Sequence, residues 1–188
     1  MKHSVPVTFL SLFLCLLTAF AATAQPAGAQ RPWQAGIGIS AARTHTGYSA
    51  YLLPEVHYRR HTVYAGPKLL LDDSYLPYSN TWGINAGYAY TLLQSAHWQA
   101  GAGVDYQCSF YKPYNPYHIA ADSHNRVQEG NVFLSLWWRP WAAGRLAAGL
   151  SIGSGIYFDT YHDLTGGTRH TDAGQAGMTR LMITYQLF

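Results

Sequence analysis

The chain has 188 residues, with 12 basic and 9 acidic side chains and a formal net charge of +3. That excess is too small to indicate a nucleic-acid partner. Charged residues make up 11% of the chain, against about 25% in soluble domains. Aromatic residues reach 15%, led by 15 Tyr and 6 Trp. Beyond Phe20 no apolar run is long enough for a transmembrane helix, so this composition favours a strand-built wall between lipid and lumen.

The first segment has the features of an export signal. Met1-Lys2-His3 is a short basic start, Val5–Phe20 is mostly apolar, and Ala22-Thr23-Ala24 has the small-x-small pattern of a cleavage site. A membrane anchor is the alternative, but the apolar core is short for a span and the cleavage pattern follows directly. We therefore predict a signal peptide over 1–24, cleaved after Ala24, and one domain over 25–188.

Strict alternation of apolar and polar or small residues then repeats along the chain. Between His97 and Cys108, the even positions run from Trp98 through Val104 to Cys108, and the odd positions include Gly101, Asp105 and Gln107. A period of two over nine or more residues indicates a strand, and the length is typical of tilted membrane strands. The pattern predicts eight strands: 33–42, 49–59, 62–71, 81–92, 97–109, 129–138, 145–158 and 176–188.

The predicted connections alternate in length. Short ones lie near 60–61, 94–96 and 140–144, and mostly longer, polar ones at 43–48, 72–80, 110–128 and 159–174. Short turns at one end and long loops at the other are typical of outer-membrane barrels, with termini and turns periplasmic and loops extracellular. A soluble lipocalin-like barrel or sandwich is the alternative, but it would expose the Trp, Tyr and Leu of the apolar faces to water.

These strands, the loop alternation and the terminal Phe188 give the mature chain a resemblance to the small eight-stranded outer-membrane proteins of the OmpA transmembrane-domain and OmpX type. The resemblance implies an all-β, antiparallel, up-and-down transmembrane barrel in a bacterial outer membrane, in contact with lipid and monomeric. In the last strand, the apolar register contains Leu181, Ile183, Tyr185 and Leu187, and we predict that it faces lipid. Arg180 and Phe188 belong to the other register.

The second and third strands each contain a proline, which cannot donate to a strand ladder. A turn at Arg60-His61 would place Pro54 opposite Pro67 in a shared bulge. The same pairing would put Glu55 opposite Gly66 and diagonal to Lys68, within reach of a long side chain.

The inward registers predict a charge network in the lumen, formed by Glu55, His57, Arg59, Lys68, Asp105 and Arg180. One interpretation is a gated path for ions or small solutes. The other is a paired network that fills the lumen, since eight-stranded barrels are just wide enough for their own side chains and buried charges need partners. The narrow lumen favours the second.

The third long loop begins Phe110-Tyr-Lys-Pro-Tyr-Asn-Pro-Tyr117, alternating Tyr and Pro with little charge. Rigid aromatics with hydroxyl groups suit contact surfaces, so Tyr111, Tyr114, Tyr117 and His118 are predicted to contact a glycan or a partner protein. Alternatively, these tyrosines extend an aromatic girdle at the membrane surface. Other loop histidines match no zinc-site spacing, so we expect no metal and no cofactor.

Three function classes stay open. The first is a structural or surface-interaction protein acting through its extracellular loops, which we favour. The second is a lipid A-modifying barrel enzyme, for which residue types such as Ser154, His162 and Asp163 are present without a recognisable His-x-Ser pair, so no catalytic residue is assigned. The third is a narrow solute channel.

Overall fold

The computed structural model describes residues 33–72, 78–113, 125–141, 144–163 and 167–187. They form eight strands: β1 Trp33–Thr44, β2 Gly47–Tyr58, β3 His61–Asp72, β4 Tyr78–Gln94, β5 Trp98–Pro113, β6 Arg126–Trp138, β7 Leu146–His162 and β8 Arg169–Gln186. Within these ranges there is no helix long and apolar enough to cross a membrane. The predicted signal peptide and Phe188 lie outside the described residues.

Every strand pairs antiparallel with the next in the chain, and β8 returns to β1 to close the barrel. The predicted fold class, an all-β eight-stranded up-and-down barrel, is confirmed. Two of the predicted long loops are much shorter than predicted. β7 and β8 pair without interruption up to His162↔Arg169, so much of the predicted fourth loop is strand. The predicted first loop is a two-residue turn, because β1 and β2 pair up to Thr44↔Gly47.

The wall has an apolar outer face and a mostly polar inner face. In β8 the outward side chains Leu181 and Ile183 are 62% and 50% exposed, whereas inward Arg180 is 2% exposed. The outward orientation of the register that contains Leu181 and Ile183 is therefore confirmed. Elsewhere the inner face carries buried polar side chains, among them Ser40, Asn85, Gln107, Asn131, Ser135 and Ser151.

The predicted pairing of β2 with β3 is wrong by two residues. The ladder contains Tyr58↔His61 and Glu55↔Tyr64, so the turn is Arg59-Arg60 and Glu55 does not face Gly66. Pro54 and Pro67 fall in an interval between Tyr51↔Lys68 and Glu55↔Tyr64 where no β2–β3 pair forms. This is expected where two prolines remove ladder donors. A shift of two keeps each side chain that lies in a strand on its predicted face and changes its cross-strand neighbours.

Glycines at two neighbouring positions provide a test of wall packing. A Cβ added to inward-facing Gly155 would collide with the backbone carbonyl of Gly130 on β6, whereas one added to Gly177 on β8 meets nothing within 4 Å. We expect Gly155→Ala to lower the free energy of unfolding by about 1–3 kcal/mol through overpacking. Gly177→Ala is the matched control and should be neutral. Urea titration of the folded barrel in micelles measures both, and equal effects would contradict the packing.

Candidate functional site: the polar interior

A dense polar cluster lies inside the barrel around Asp105. The Asp105 carboxylate is 2.9 Å from Arg180 Nη2, an ion pair whose atoms are not aligned for a hydrogen bond. Tyr64 donates its hydroxyl hydrogen to Asp105 Oδ2 at 2.8 Å. Asn85 Nδ2 donates to both carboxylate oxygens at 3.0 and 2.9 Å, and Gln107 Nε2 donates to Oδ1 at 2.9 Å. The Asp105 carboxylate therefore accepts hydrogen bonds from β3, from β4 and from its own strand, and it forms an ion pair with β8.

Arg180 is held by aromatic rings as well as by charge. Its guanidinium carbon lies 4.9 Å from the ring centroid of Tyr51 and 5.7 Å from that of Tyr64. Arg180 Nη1 also donates to the Tyr64 hydroxyl oxygen at 3.2 Å, and the Tyr51 hydroxyl donates to Gln107 Oε1 at 2.9 Å. We call Tyr51, Tyr64, Asn85, Asp105, Gln107 and Arg180 the central cluster. Because its members come from β2, β3, β4, β5 and β8, the cluster crosses the lumen.

A second ion pair lies nearer the loop end of the barrel, where β1 joins β2, β3 joins β4, β5 joins β6 and β7 joins β8. The opposite end, with the β2–β3, β4–β5 and β6–β7 connections, is the turn end. Lys68 Nζ is 3.7 Å from Glu129 Oε1, and both side chains are 1% exposed. Thr46, in the β1–β2 turn, accepts a hydrogen bond from Lys68 Nζ at 3.0 Å and donates one to Glu129 Oε1 at 3.3 Å. The ring of His45 stacks on Tyr157 at 3.5 Å beside this group. Burial lowers the pKa of His45, opposed by the Glu129 carboxylate.

Towards the turn end, the lumen opens into a small cavity. Glu55, His57 and Thr62 are among the residues that line it. Glu55 Oε1 lies 3.1 Å from His57 Nε2, and the Thr62 hydroxyl lies 2.8 Å from His57 Nδ1. The space open to the centres of water molecules is about 40 Å³, enough for about three waters. The cavity can hydrate the Glu55–His57 pair, but the central cluster separates it from the loop end.

Five of the six residues predicted to form the lumen network lie inside the barrel, and one does not. Glu55, Lys68, Asp105 and Arg180 are buried inside the barrel, and His57 is partly buried. Arg59 does not belong to the lumen: β2 ends at Tyr58, so Arg59 is an exposed turn residue. The expected contact between Glu55 and Lys68 is replaced by Glu55–His57 and Lys68–Glu129. The shifted register explains the change, since Lys68 pairs with Tyr51.

Two important residues were absent from the predicted network. The predicted sixth strand begins at Glu129, whereas β6 begins at Arg126. The inward alternation of Val127, Glu129, Asn131 and Phe133 is visible in the sequence and could have revealed it. Asn85 occupies an inward position of the alternating pattern, but nothing in the neighbouring sequence indicates that its amide reaches Asp105.

The predicted contact loop is only partly covered by the structure. Tyr111 is not a surface residue: its side chain is 3% exposed, packs with Val127, and donates a hydrogen bond to Asp159 Oδ1 at 2.7 Å. It lies inward because β5 continues to Pro113. Tyr114, Tyr117 and His118 lie outside the described residues.

The candidate nucleophile and base considered in the sequence do not meet. Ser154 and His162 are eight positions apart on β7, which is about 26 Å along a strand. A nucleophile needs its base within hydrogen-bond reach. In the described part of the chain, His, Cys, Asp and Glu side chains form no group of three that could hold a metal ion.

Comparison with known proteins adds no assignment. The chain matches no model of a known protein family, and no curated protein matches it. The interior itself is therefore the basis for a functional interpretation.

Proposed function

We propose that this protein is a small, monomeric outer-membrane barrel with a closed lumen, which acts structurally or through partner contacts at its loop end. The observation that carries the proposal is the inside-out distribution of side chains. Large apolar residues are exposed around the wall, for example Ile39 at 60%, Val132 at 65% and Leu181 at 62%, while charged pairs are buried within it.

Such an outer surface suits lipid rather than water. Monomeric soluble proteins rarely expose a contiguous apolar patch larger than a few hundred Å², and here exposed apolar residues occur on every strand. Tryptophans add a second feature at the turn end. Trp33, Trp98, Trp138 and Trp141 are 38–64% exposed there, and Trp is enriched where a membrane meets water.

The interior favours a closed barrel over a solute channel. The central cluster and the Lys68–Glu129 pair are two charged layers, and members of both are at most 4% exposed. A permeating ion would have to displace side chains that already satisfy one another's charge. The interior therefore supports solute transport less well than it supports a function in partner contact at the loop end.

The shape of the loop end supports surface contact. β7 and β8 pair up to His162↔Arg169, whereas the pairing of β1 with β8 reaches only Arg43↔Thr179. The β7–β8 hairpin thus extends ten residues of β8, Arg169–Met178, past its contact with β1. Most side chains between Arg169 and Gly177 are exposed, which provides a rigid platform for a partner outside the membrane.

Insertion and closure can be tested together. The purified protein should fold into phospholipid vesicles and migrate faster on a gel before boiling than after, because a closed barrel resists detergent. In planar bilayers it should produce no conductance steps. An eight-stranded barrel protein known to insert is the positive control for insertion, and a porin for conductance. A single unheated and boiled band position would contradict the barrel in lipid, and steady conductance would contradict the closed lumen.

A further inference from the structure

An exposed group of aromatic and arginine side chains surrounds the β2–β3 turn. The rings of Trp33 and Tyr58 lie 4.4 Å apart, and the guanidinium carbon of Arg59 is 5.3 Å from the Tyr58 ring centroid. Arg60 follows directly, and its carbonyl accepts a hydrogen bond from Thr91 N at 2.8 Å. We call Trp33, Tyr58, Arg59 and Arg60 the arginine platform. Neighbouring strands thus hold two adjacent cations at a fixed place on the turn-end rim.

The backbone at Arg59 is unusual. Its φ is +56°, and the other positive φ values in the described residues belong to Gly47 and Gly167. A left-handed position in a two-residue hairpin turn normally carries glycine, or asparagine or aspartate, because other side chains are strained there. Local folding would therefore be served better by glycine than by arginine. An arginine at a strained, exposed position indicates that its side chain has a use outside the fold.

Among the described residues, the exposed arginines at this rim have no exposed acidic side chain beside them. Arg145 is also exposed at the turn end, across the barrel from the platform. Among the described residues, the acidic ones lie elsewhere: Glu55, Asp105 and Glu129 inside, and Asp72, Asp159, Asp163 and Asp172 at or near the loop ends of β3, β7 and β8. The rim therefore presents cations beside exposed tryptophan, with no acidic side chain from the described chain to neutralise them.

We propose that the arginine platform binds the phosphate of anionic phospholipid headgroups. Trp33 and Tyr58 would lie at the level of the headgroups, and a guanidinium group forms paired hydrogen bonds to phosphate oxygens. A net negative headgroup such as phosphatidylglycerol should be preferred over zwitterionic phosphatidylcholine, since only the former leaves an unneutralised charge. This inference rests on the proposed membrane insertion.

The test measures lipid preference directly. The protein is inserted into phosphatidylcholine vesicles that contain traces of spin-labelled phosphatidylglycerol or spin-labelled phosphatidylcholine, and the protein-bound fraction of each label is read by electron paramagnetic resonance. We expect the wild type to favour phosphatidylglycerol. The preference should fall by up to about fivefold for each arginine removed in Arg59→Gln and Arg60→Gln, and it should weaken at high salt.

Matched variants separate a lipid contact from a structural role. Arg59→Lys should retain most of the preference. Arg169→Gln removes an exposed charge at the opposite end of the barrel and should leave the preference unchanged. Arg59→Gly should raise the urea midpoint by relieving the backbone and still weaken phosphatidylglycerol binding, an opposition that a purely structural arginine would not produce.

The outcomes also distinguish this inference from the function on which it rests. A wild type that inserts and binds both labels equally would overturn the headgroup site alone. A protein that does not insert into any vesicle would overturn the proposed membrane function and the headgroup site with it.

Discussion

Asp105→Ala should lower the free energy of unfolding by about 3–5 kcal/mol, the usual cost of breaking a buried ion pair on one side. Arg180 would lose its only acidic partner among the described ion pairs while staying 2% exposed, and a guanidinium group cannot escape by losing its proton. Asn85, Gln107 and Tyr64 would also each lose an acceptor. Urea titration of the barrel in micelles, followed by tryptophan fluorescence, measures the change.

A double-mutant cycle identifies the source of that cost. Arg180→Ala alone should also be strongly destabilising, whereas the double variant should cost less than the sum of the two, because no unpaired charge is left. Asp172→Ala removes an exposed carboxylate from β8 and serves as the control, with an effect within about 0.5 kcal/mol. Strict additivity of the Asp105 and Arg180 effects would contradict the ion pair.

Glu129→Ala should be the second most damaging change to the interior. It removes the acidic partner of Lys68, whose Nζ would still donate a hydrogen bond to the Thr46 hydroxyl. The expected loss is about 3 kcal/mol, at the lower end for a broken buried pair. Unlike arginine, lysine can lose its proton and remain buried as a neutral amine, which limits the cost.

This difference predicts a distinct response to pH. Raising the pH should recover part of the stability lost in Glu129→Ala and none of that lost in Asp105→Ala. Glu129→Gln is the matched variant, since it keeps a hydrogen-bond acceptor for Thr46 while removing the charge. Unfolding midpoints across a pH series provide the measurement, and parallel curves for the two alanine variants would refute the explanation.

The architecture could be predicted because it depends on which face each residue occupies. Alternation along the chain decides inside from outside, as the exposed Leu181 and buried Arg180 show. Alternation does not determine which residues of neighbouring strands pair. Moving the β2–β3 turn from Arg60-His61 to Arg59-Arg60 changes every partner in that hairpin and leaves each side chain of the two strands on its face. The hydrophobic pattern alone therefore cannot reveal a register error of two residues.

The interior contacts required information that the sequence does not contain locally. Asp105 and Arg180 were both predicted to face the lumen, but their pairing joins strands far apart in the chain. Lys68 was assigned to Glu55 through the wrong register and pairs instead with Glu129 on β6. Tyr111 and Arg59 were misplaced because each lies close to a strand end, where one or two residues decide between wall and loop.

The seam between β1 and β8 has a consequence for how the chain reaches its native state. Its pairs, from Gly36↔Gln186 to Arg43↔Thr179, join segments at opposite ends of the described chain. Hairpin contacts can form locally, but this last ladder requires the whole sheet to curl until its two edges meet. Contacts of such long sequence separation slow folding, and until they form both edges can pair with another chain. Closure of the seam should therefore limit the folding rate, and conditions that delay it should favour aggregation.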